Sequence, residues 1–356
     1  MQLKHILTAS SIAVMVAGPA LAENILRWTS QGDALTLDPH SQNESPTIAM
    51  NGQLYESLVT RDADLNLQPE LAESWSVNAD GWTFNLRKGV KFHDGADFTA
   101  EDVVFSFERA RHEASDYKEQ IKSITEVKVI DAHTVMLVTD GPNPILPNQL
   151  TSLYIMDKGW AETNNVVAPQ NFKAQEENFA VRNANGTGPF TLVSRAPDEK
   201  TVMVRNANWW GNGKFPGNVD RIEYRPITNA ATRVAALLSG EVDFVLDPPL
   251  QDLKRIEATD GLSVKTAAQI RTIFFGMDQS VEKLRSSNAE TNPFKDIRVR
   301  EAFNLAIDRQ AIRRVVMEDL AFPTSMITSP GVLGNTPKND PAVTHDVAKA
   351  KALLAE

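Results

Sequence analysis

Three consecutive stretches, VDRIEYRPI (Val219–Ile227), NAATRVAALLSG (Asn229–Gly240) and VDFVL (Val242–Leu246), decide the fold class. The first is rich in β-branched and aromatic residues and predicts a strand. In the second, Asn229 has the side chain of a helix N-cap, Val234, Leu237 and Leu238 recur on one helical face, and Gly240 supplies the stop. The third is a short apolar run bounded by turn residues and reads as a buried strand. Strand, helix and strand with such short joints predict a parallel pair with a right-handed crossover. In sheets of this kind ligands lie beyond the carboxyl ends of the strands. Leu246 and Asp247, at that end of the second strand, are therefore candidate ligand contacts.

Upstream, Ile25–Thr29 predicts a further strand, followed by a polar loop through Gly32, Asp38-Pro39-His40 and Asn43-Glu44-Ser45 and then a helix over Ile48–Leu58. Ser74–Val77 and Trp82–Leu86 alternate apolar and polar residues around Asp80-Gly81, a strong hairpin signal. Val90–Phe92 predicts a third short strand, ending at His93-Asp94-Gly95. Thr99 with Glu101 and Asp102 caps a helix whose buried face is Val103, Val104 and Phe107. Val127–Val138 reads as a second hairpin turned near Asp131-Ala132-His133. Downstream, Ile270–Met277 predicts a strand. Helices then start near Asp296, with Val299, Phe303 and Ile307 inward, and near Asp308, with Ala311, Ile312 and Val315 inward.

Composition narrows the function classes. The chain has 36 Lys and Arg against 46 Asp and Glu, a net charge of −10, with no basic block, so its surface repels nucleic acid and anionic lipid. Lys4, the apolar or small run Ile6–Gly18 and the small-x-small ending at Ala20-Leu21-Ala22 predict a secretory signal peptide over residues 1–22, cleaved after Ala22. Its apolar stretch is shorter than the ~20 residues of a membrane-spanning helix. The absence of cysteine excludes a disulfide framework, thiol chemistry and a lipid-modified cysteine at the cleavage site. An exported chain without anchor is expected to be soluble in the periplasm. The remaining length exceeds a single core, so at least two domains are expected.

Several blocks together resemble the peptide-type periplasmic solute-binding proteins (the dipeptide and oligopeptide-binding family, family 5) of ATP-driven ABC importers. LQPELAESW (Leu67–Trp75), LRKGVKFHDG (Leu86–Gly95) and TAEDVVFS (Thr99–Ser106) form a long run similar to the family's signature. GTGPF (Gly186–Phe190), NANWW (Asn206–Trp210), LSGEVD (Leu238–Asp243), FKDIRVREAF (Phe294–Phe303) and AIDR (Ala306–Arg309) follow in the family's order.

The resemblance implies an α/β, two-lobed periplasmic binding protein fold of the large peptide-binding type, with an extra inserted domain. On that pattern residues 23–57 and 186–270 form a discontinuous lobe I, residues 58–185 the inserted domain, and residues 271–356 the start of lobe II. Family members continue beyond a segment like the last one here (Val347, Ala350, Leu353 and Leu354 on one helical face), so the second lobe is expected to be incomplete. The implied role is capture of a peptide, or of an opine, nickel chelate, haem, glutathione or oligosaccharide, between two closing lobes. The ligand then passes to the membrane permease, with the binding protein monomeric, nucleic acid uninvolved and no cofactor of its own.

Three local stretches are candidates for ligand contact: Asn43, Glu44 and Ser45 after the first strand; Leu246 and Asp247; and Arg271 with Phe274 on the expected crossing strand. Other conspicuous residues read as structural. His93-Asp94-Gly95 reads as a turn rather than a metal site or general base, because no second ligand stands at a metal-site spacing. Trp209 and Trp210, if on a strand, point to opposite faces, and both read as packing residues. Catalysis has no support: there is no Gly-x-Ser-x-Gly elbow, no His-Glu-x-x-His pair and no phosphate-cradling loop. A secreted hydrolase is the rival class.

Overall fold

The computed structural model describes residues 23–267, 269–329, 332, 334–342 and 344–356. The expected signal peptide, residues 1–22, lies outside the described residues. Ile25–Thr29 forms β1, as its alternation predicts, and the polar loop that follows leads into helix α1 (Ser45–Asn51). That helix is shorter than expected. Gly52 ends it, and Leu54 and Tyr55 both fold back to donate to the Asn51 carbonyl.

The chain then builds a second layer of short strands: β2 (Val59–Arg61), β3 (Leu67–Pro69), β4 (Ala72–Asn78), β5 (Gly81–Leu86), β6 (Ile124–Asp131) and β7 (Thr134–Thr139). β4 and β5 make the Asp-Gly hairpin, and β6 and β7 the second hairpin, joined in the order β4-β5-β7-β6. Gly81 is required there, because a Cβ would stand 2.0 Å from the Leu137 carbonyl oxygen. Helix α2 (Ala100–Ala110) opens with a complete capping box between Thr99 and Asp102. It lays Val103 and Phe107 into the same core as Phe84, Leu86, Val135 and Leu137. The expected strand at Val90–Phe92 is absent. Lys91 makes only an isolated bridge to Asp97 across a turn, too little to propagate a ladder.

Returning, the chain adds β8 (Phe190–Ala196), β9 (Lys200–Arg205), β10 (Arg221–Tyr224) and β11 (Phe244–Val245) to β1, in the order β11-β1-β10-β9-β8. The Ala230–Leu238 helix connects β10 to β11, capped by Asn229, whose side chain accepts from Thr232 N, and stopped at Gly240 with φ +74°. The expected strand-helix-strand unit is present, but its two strands are not neighbours. β1 lies between them, parallel to both, and supplies the hydrogen bonds that a direct pair would have exchanged.

Three expectations downstream are corrected. Ile270–Met277 is not a strand: no ladder partner pairs with it among the described residues, and Ile273, Phe274 and Phe275 stand 84, 63 and 78% exposed. An apolar run is only half of a strand, and the other half is a neighbour's row of N–H and C=O groups. The helix after Asp296 (Ile297–Ala306) does form, yet it buries Ala302 and Leu305 against Ala350 and Leu353 instead of Val299, Phe303 and Ile307. After Asp308, which caps its segment through Ala311 N, the chain makes one α turn and then a π-helical stretch, Ile312–Val316, with Ile312 and Val315 exposed.

Candidate functional site

The parallel strands β1, β10 and β11 deliver their carboxyl ends to one edge. Ile227 N donates to Ser30 O (2.9 Å) and Leu246 N to Thr29 O (3.0 Å), so the three exits are laced together. Over this edge runs the polar loop from Ser30 to Glu44, held by buried charge at two points. Near its start Arg195 of β8 donates to Asp33 (3.1 Å), Thr201 Oγ1 (2.8 Å) and Ala34 O (2.5 Å), with both charged side chains almost fully covered.

Further on, Asp38 receives a two-pronged pair from Arg109 of α2, at 2.5 and 2.7 Å, with neither side chain exposed at all. The remaining valences are met as well. Asp38 also accepts from His40 N (3.1 Å) and Gln170 N (2.8 Å), while Arg109 donates to Val166 O and Ala168 O. A buried pair is tolerable only when its other donors and acceptors are satisfied in this way. Burial by itself would raise the Asp38 carboxyl, but the Arg109 guanidinium outweighs it and holds the group below its ordinary range.

His40 completes the clamp. Its Nδ1 accepts from Arg109 (3.1 Å), which leaves Nε2 carrying the hydrogen donated to Tyr154 O (2.8 Å). Burial, together with the adjacent guanidinium, pushes its pKa from 6.5 to about 4. The unfolded chain takes up this proton near 6.5 and the native one only near 4, so the unfolded state binds more protons between these values. Stability is therefore expected to fall as pH drops through that window. Denaturant unfolding at pH 7, 5.5 and 4 measures this fall, and His40→Gln, which keeps a donor for Tyr154, is expected to flatten it.

Two of the three candidate stretches are held by hydrogen bonds or packing. Asn43 donates to Asp116 O (3.1 Å), and Glu44 accepts from Thr47 Oγ1, whose oxygen in turn accepts from Leu35 N (2.9 Å). Ser45, exposed, starts α1. Leu246 packs on the cluster that contains Met50 and Leu54, while Asp247 is exposed in a left-handed backbone conformation, φ 55°. Arg271 and Phe274 are exposed and neither bonded to nor packed on this edge among the described residues. The loop's own fasteners, Asp33, Asp38 and His40, were not singled out from sequence. Asp38-Pro39-His40 looks like an ordinary turn, and the only hint of its role was an Arg in the last turn of a distant helix.

A second buried centre gathers the motif residues. His93 N donates to Gly186 O (2.9 Å), and the His93 ring lies 3.1 Å from Gly188 O. Asp94 closes its turn through Ala96 N, and Gly95 takes φ +96°, as a structural reading of that tripeptide requires. Asn206 also reaches Gly188 O (3.0 Å). Trp209 and Trp210 are structural, but for a different reason than expected. They lie in a turn, not a strand, and both indole N–H groups converge on Glu56 at 2.9 Å. Among the described residues no group of His, Asp or Glu side chains is placed to hold a metal ion, and no helix is long and apolar enough to cross a membrane.

Comparison with known proteins follows the same lines. Residues 66–356 match the family model of bacterial extracellular solute-binding proteins, family 5. The chain is 29% identical over 352 residues to the glutathione-binding protein GsiB of Salmonella choleraesuis, covering 98% of this chain and 64% of that protein. Against GsiB of Escherichia coli O1:K1 it is 28% identical, covering 90% of this chain and 59% of the relative. The chain thus spans less than two thirds of the length of these relatives. The periplasmic binding protein DppA of Helicobacter pylori, solved with the peptide STSA, superposes with a TM-score of 0.75 at 26% identity, covering 94% of this chain and 66% of that one. The binding protein AgaA of A. tumefaciens R10, solved with agropinic acid, gives 0.73 at 26% identity, with 93 and 64% covered. With that match, the α/β sheet and the motif blocks in register, the chain belongs to the bacterial extracellular solute-binding proteins of family 5.

Proposed function

We propose that the protein is the extracytoplasmic solute-binding subunit of an ABC importer, taking a peptide or a peptide-like solute such as glutathione and handing it to the membrane permease. The observation that carries this reading is the charge-pinned loop over the carboxyl edge of β1, β10 and β11. It carries Asn43, Glu44 and Ser45 on a backbone that ligand binding need not order, and Leu246 packs on the cluster that contains Met50 of the helix this loop enters. An extended peptide suits such a wall, because main-chain pairing is indifferent to side chains while charged ends set the register. The relatives named above are binding proteins for glutathione, a peptide and an opine, which supports a binding role over a hydrolytic one.

In this reading residues 23–57 and 186–270 make the first lobe and residues 58–185 the insertion, while residues 271–356 open the second lobe. The strands of the large sheet, drawn from 25–29 and 190–245, and of the second layer, drawn from 59–139, support that division. Export by residues 1–22 to the periplasm and a monomeric state belong to the same proposal.

The purified protein, titrated calorimetrically with glutathione, di- to tetrapeptides and an opine, is expected to bind one class saturably and release it unchanged. Cleaved ligand in the mass spectrum after incubation sinks the reading in favour of a hydrolase. Asp247→Asn keeps a residue that tolerates the left-handed backbone while removing the charge. It is expected to change affinity by about tenfold, ~1.4 kcal/mol.

A further inference from the structure

Glu56, buried, and Glu70, half-buried, are two carboxyl groups joined through Ser57, at the seam where the chain leaves the large sheet for the second layer. Glu56 is full: its oxygens accept from Trp209 and Trp210 (2.9 Å each) and from Thr187 Oγ1 (2.8 Å). Glu70 is in a different position. Its Oε2 meets Ser57 N at 2.8 Å and Ser57 Oγ at 2.7 Å. The serine hydroxyl has one hydrogen and three oxygens within reach, Glu70 Oε2, Val59 O at 2.8 Å and Thr151 O at 3.3 Å. Pro69, opposite Val59 in the β2–β3 ladder, has no N–H to offer that carbonyl. If the serine hydrogen serves Val59, the short contact between Ser57 Oγ and Glu70 needs a hydrogen from Glu70.

We propose that Glu70 is a protonated carboxylic acid at neutral pH, donating to Ser57 Oγ, and that its proton is a pH-sensitive fastener of this seam. When it is lost, the serine hydrogen must turn to the carboxylate, Val59 O is left without its donor, and two negative charges face each other beside Ser57.

The charged and titratable groups around it do not cancel that cost. Arg87 of the β5 end donates to Glu70 O (3.1 Å) but spends its charge on Glu73 (3.1 Å) and on the Trp210 ring, 3.8 Å from its centroid. Arg61 of β2 is turned to Leu65 O and Asn148. Lys214 lies 5.9 Å from the Trp210 ring, and Tyr154, bridged to Ser57, is a buried phenol. Burial, followed by the nearby Glu56 charge, pushes Glu70 up to about 8, in the direction the hydrogen-bond count requires. Burial likewise raises Glu56, to about 7.

A carboxyl raised in the native state stabilises fully below its ordinary value of 4.5, and that contribution is lost as pH climbs towards 8. The test compares the melting temperatures of the full chain and Glu70→Gln between pH 5 and 9. Glutamine does not titrate, and its amide oxygen in the Oε2 place still accepts from Ser57 N, but it has no hydrogen for Ser57 Oγ there. Relative to the variant, the unmodified chain is expected to lose several degrees of melting temperature between pH 5 and pH 9. A difference independent of pH overturns the proposal. Should the variant not fold, 13C NMR of the glutamate carboxyls in the unmodified chain decides. A carboxyl titrating near pH 8 supports a protonated Glu70, and titration of every glutamate below pH 6 overturns it.

Discussion

Arg109→Met is expected to destabilise the protein by about 3–5 kcal/mol, because it leaves Asp38 charged, buried and without a counter-ion. Domains of ordinary stability have only about 5–15 kcal/mol in total, so this is one of the most damaging single changes available. The cost comes from what is left behind. The carboxylate keeps its two backbone donors, from His40 and Gln170, but loses both guanidinium prongs, while Val166 O and Ala168 O lose theirs. Arg109→Lys retains the charge but cannot reproduce the fork, and an intermediate loss is expected. The double change Asp38→Leu with Arg109→Met removes both charges and should recover part of the stability. Denaturant unfolding of all four proteins measures the series, and a double variant weaker than Arg109→Met alone contradicts it. Since the pair also holds the loop that carries Asn43 and Glu44, ligand affinity is expected to fall with Arg109→Met even where the protein remains folded.

Gly186→Ala is the second large effect. An added Cβ would stand 2.1 Å from the Leu54 carbonyl oxygen and 2.7 Å from the Tyr55 ring, and the obstacle is mainly backbone, which cannot swing aside. Gly188 is similarly close, 2.6 Å from the Leu54 carbonyl carbon, while its own N–H donates to Leu54 O at 2.9 Å. Overpacking of this kind costs roughly 1–3 kcal/mol, and more when it breaks a backbone hydrogen bond. The same segment carries Thr187, a donor to Glu56, so displacement is expected to loosen the Trp209–Trp210 turn as well. Tryptophan fluorescence during unfolding reports both effects. Gly32→Ala is the control: nothing lies within 4 Å of its Cβ and its φ is not positive, so a change within about 0.5 kcal/mol is expected. Equal losses at Gly186 and Gly32 would mean that glycine entropy, not the close approach, governs the site.

Sequence alone determined whatever is encoded between near neighbours. The hairpin at Asp80-Gly81, the Thr99–Asp102 capping box, the Asn229 cap and the Gly240 stop are each settled within a few residues by steric and hydrogen-bonding preference, and all were legible. So was the α/β class, because strand-helix-strand spacing restricts topology, and so was the family, because its blocks stand in register. The rule about carboxyl edges put forward Leu246 and Asp247 as candidate ligand contacts, a reading that the Asp247→Asn titration tests.

Tertiary structure alone decided who pairs with whom across long separations. β1 inserts between β10 and β11, a choice that no local propensity expresses. Ile270–Met277 has the composition of a strand but no ladder partner among the described residues. Asp38 finds Arg109 across 71 positions, and Glu56 finds Thr187 across 131. In the sequence these are unremarkable acids, indistinguishable from the solvated majority. Only burial, which removes water and leaves the pairing partner as the sole source of compensation, turns them into the fasteners of the fold.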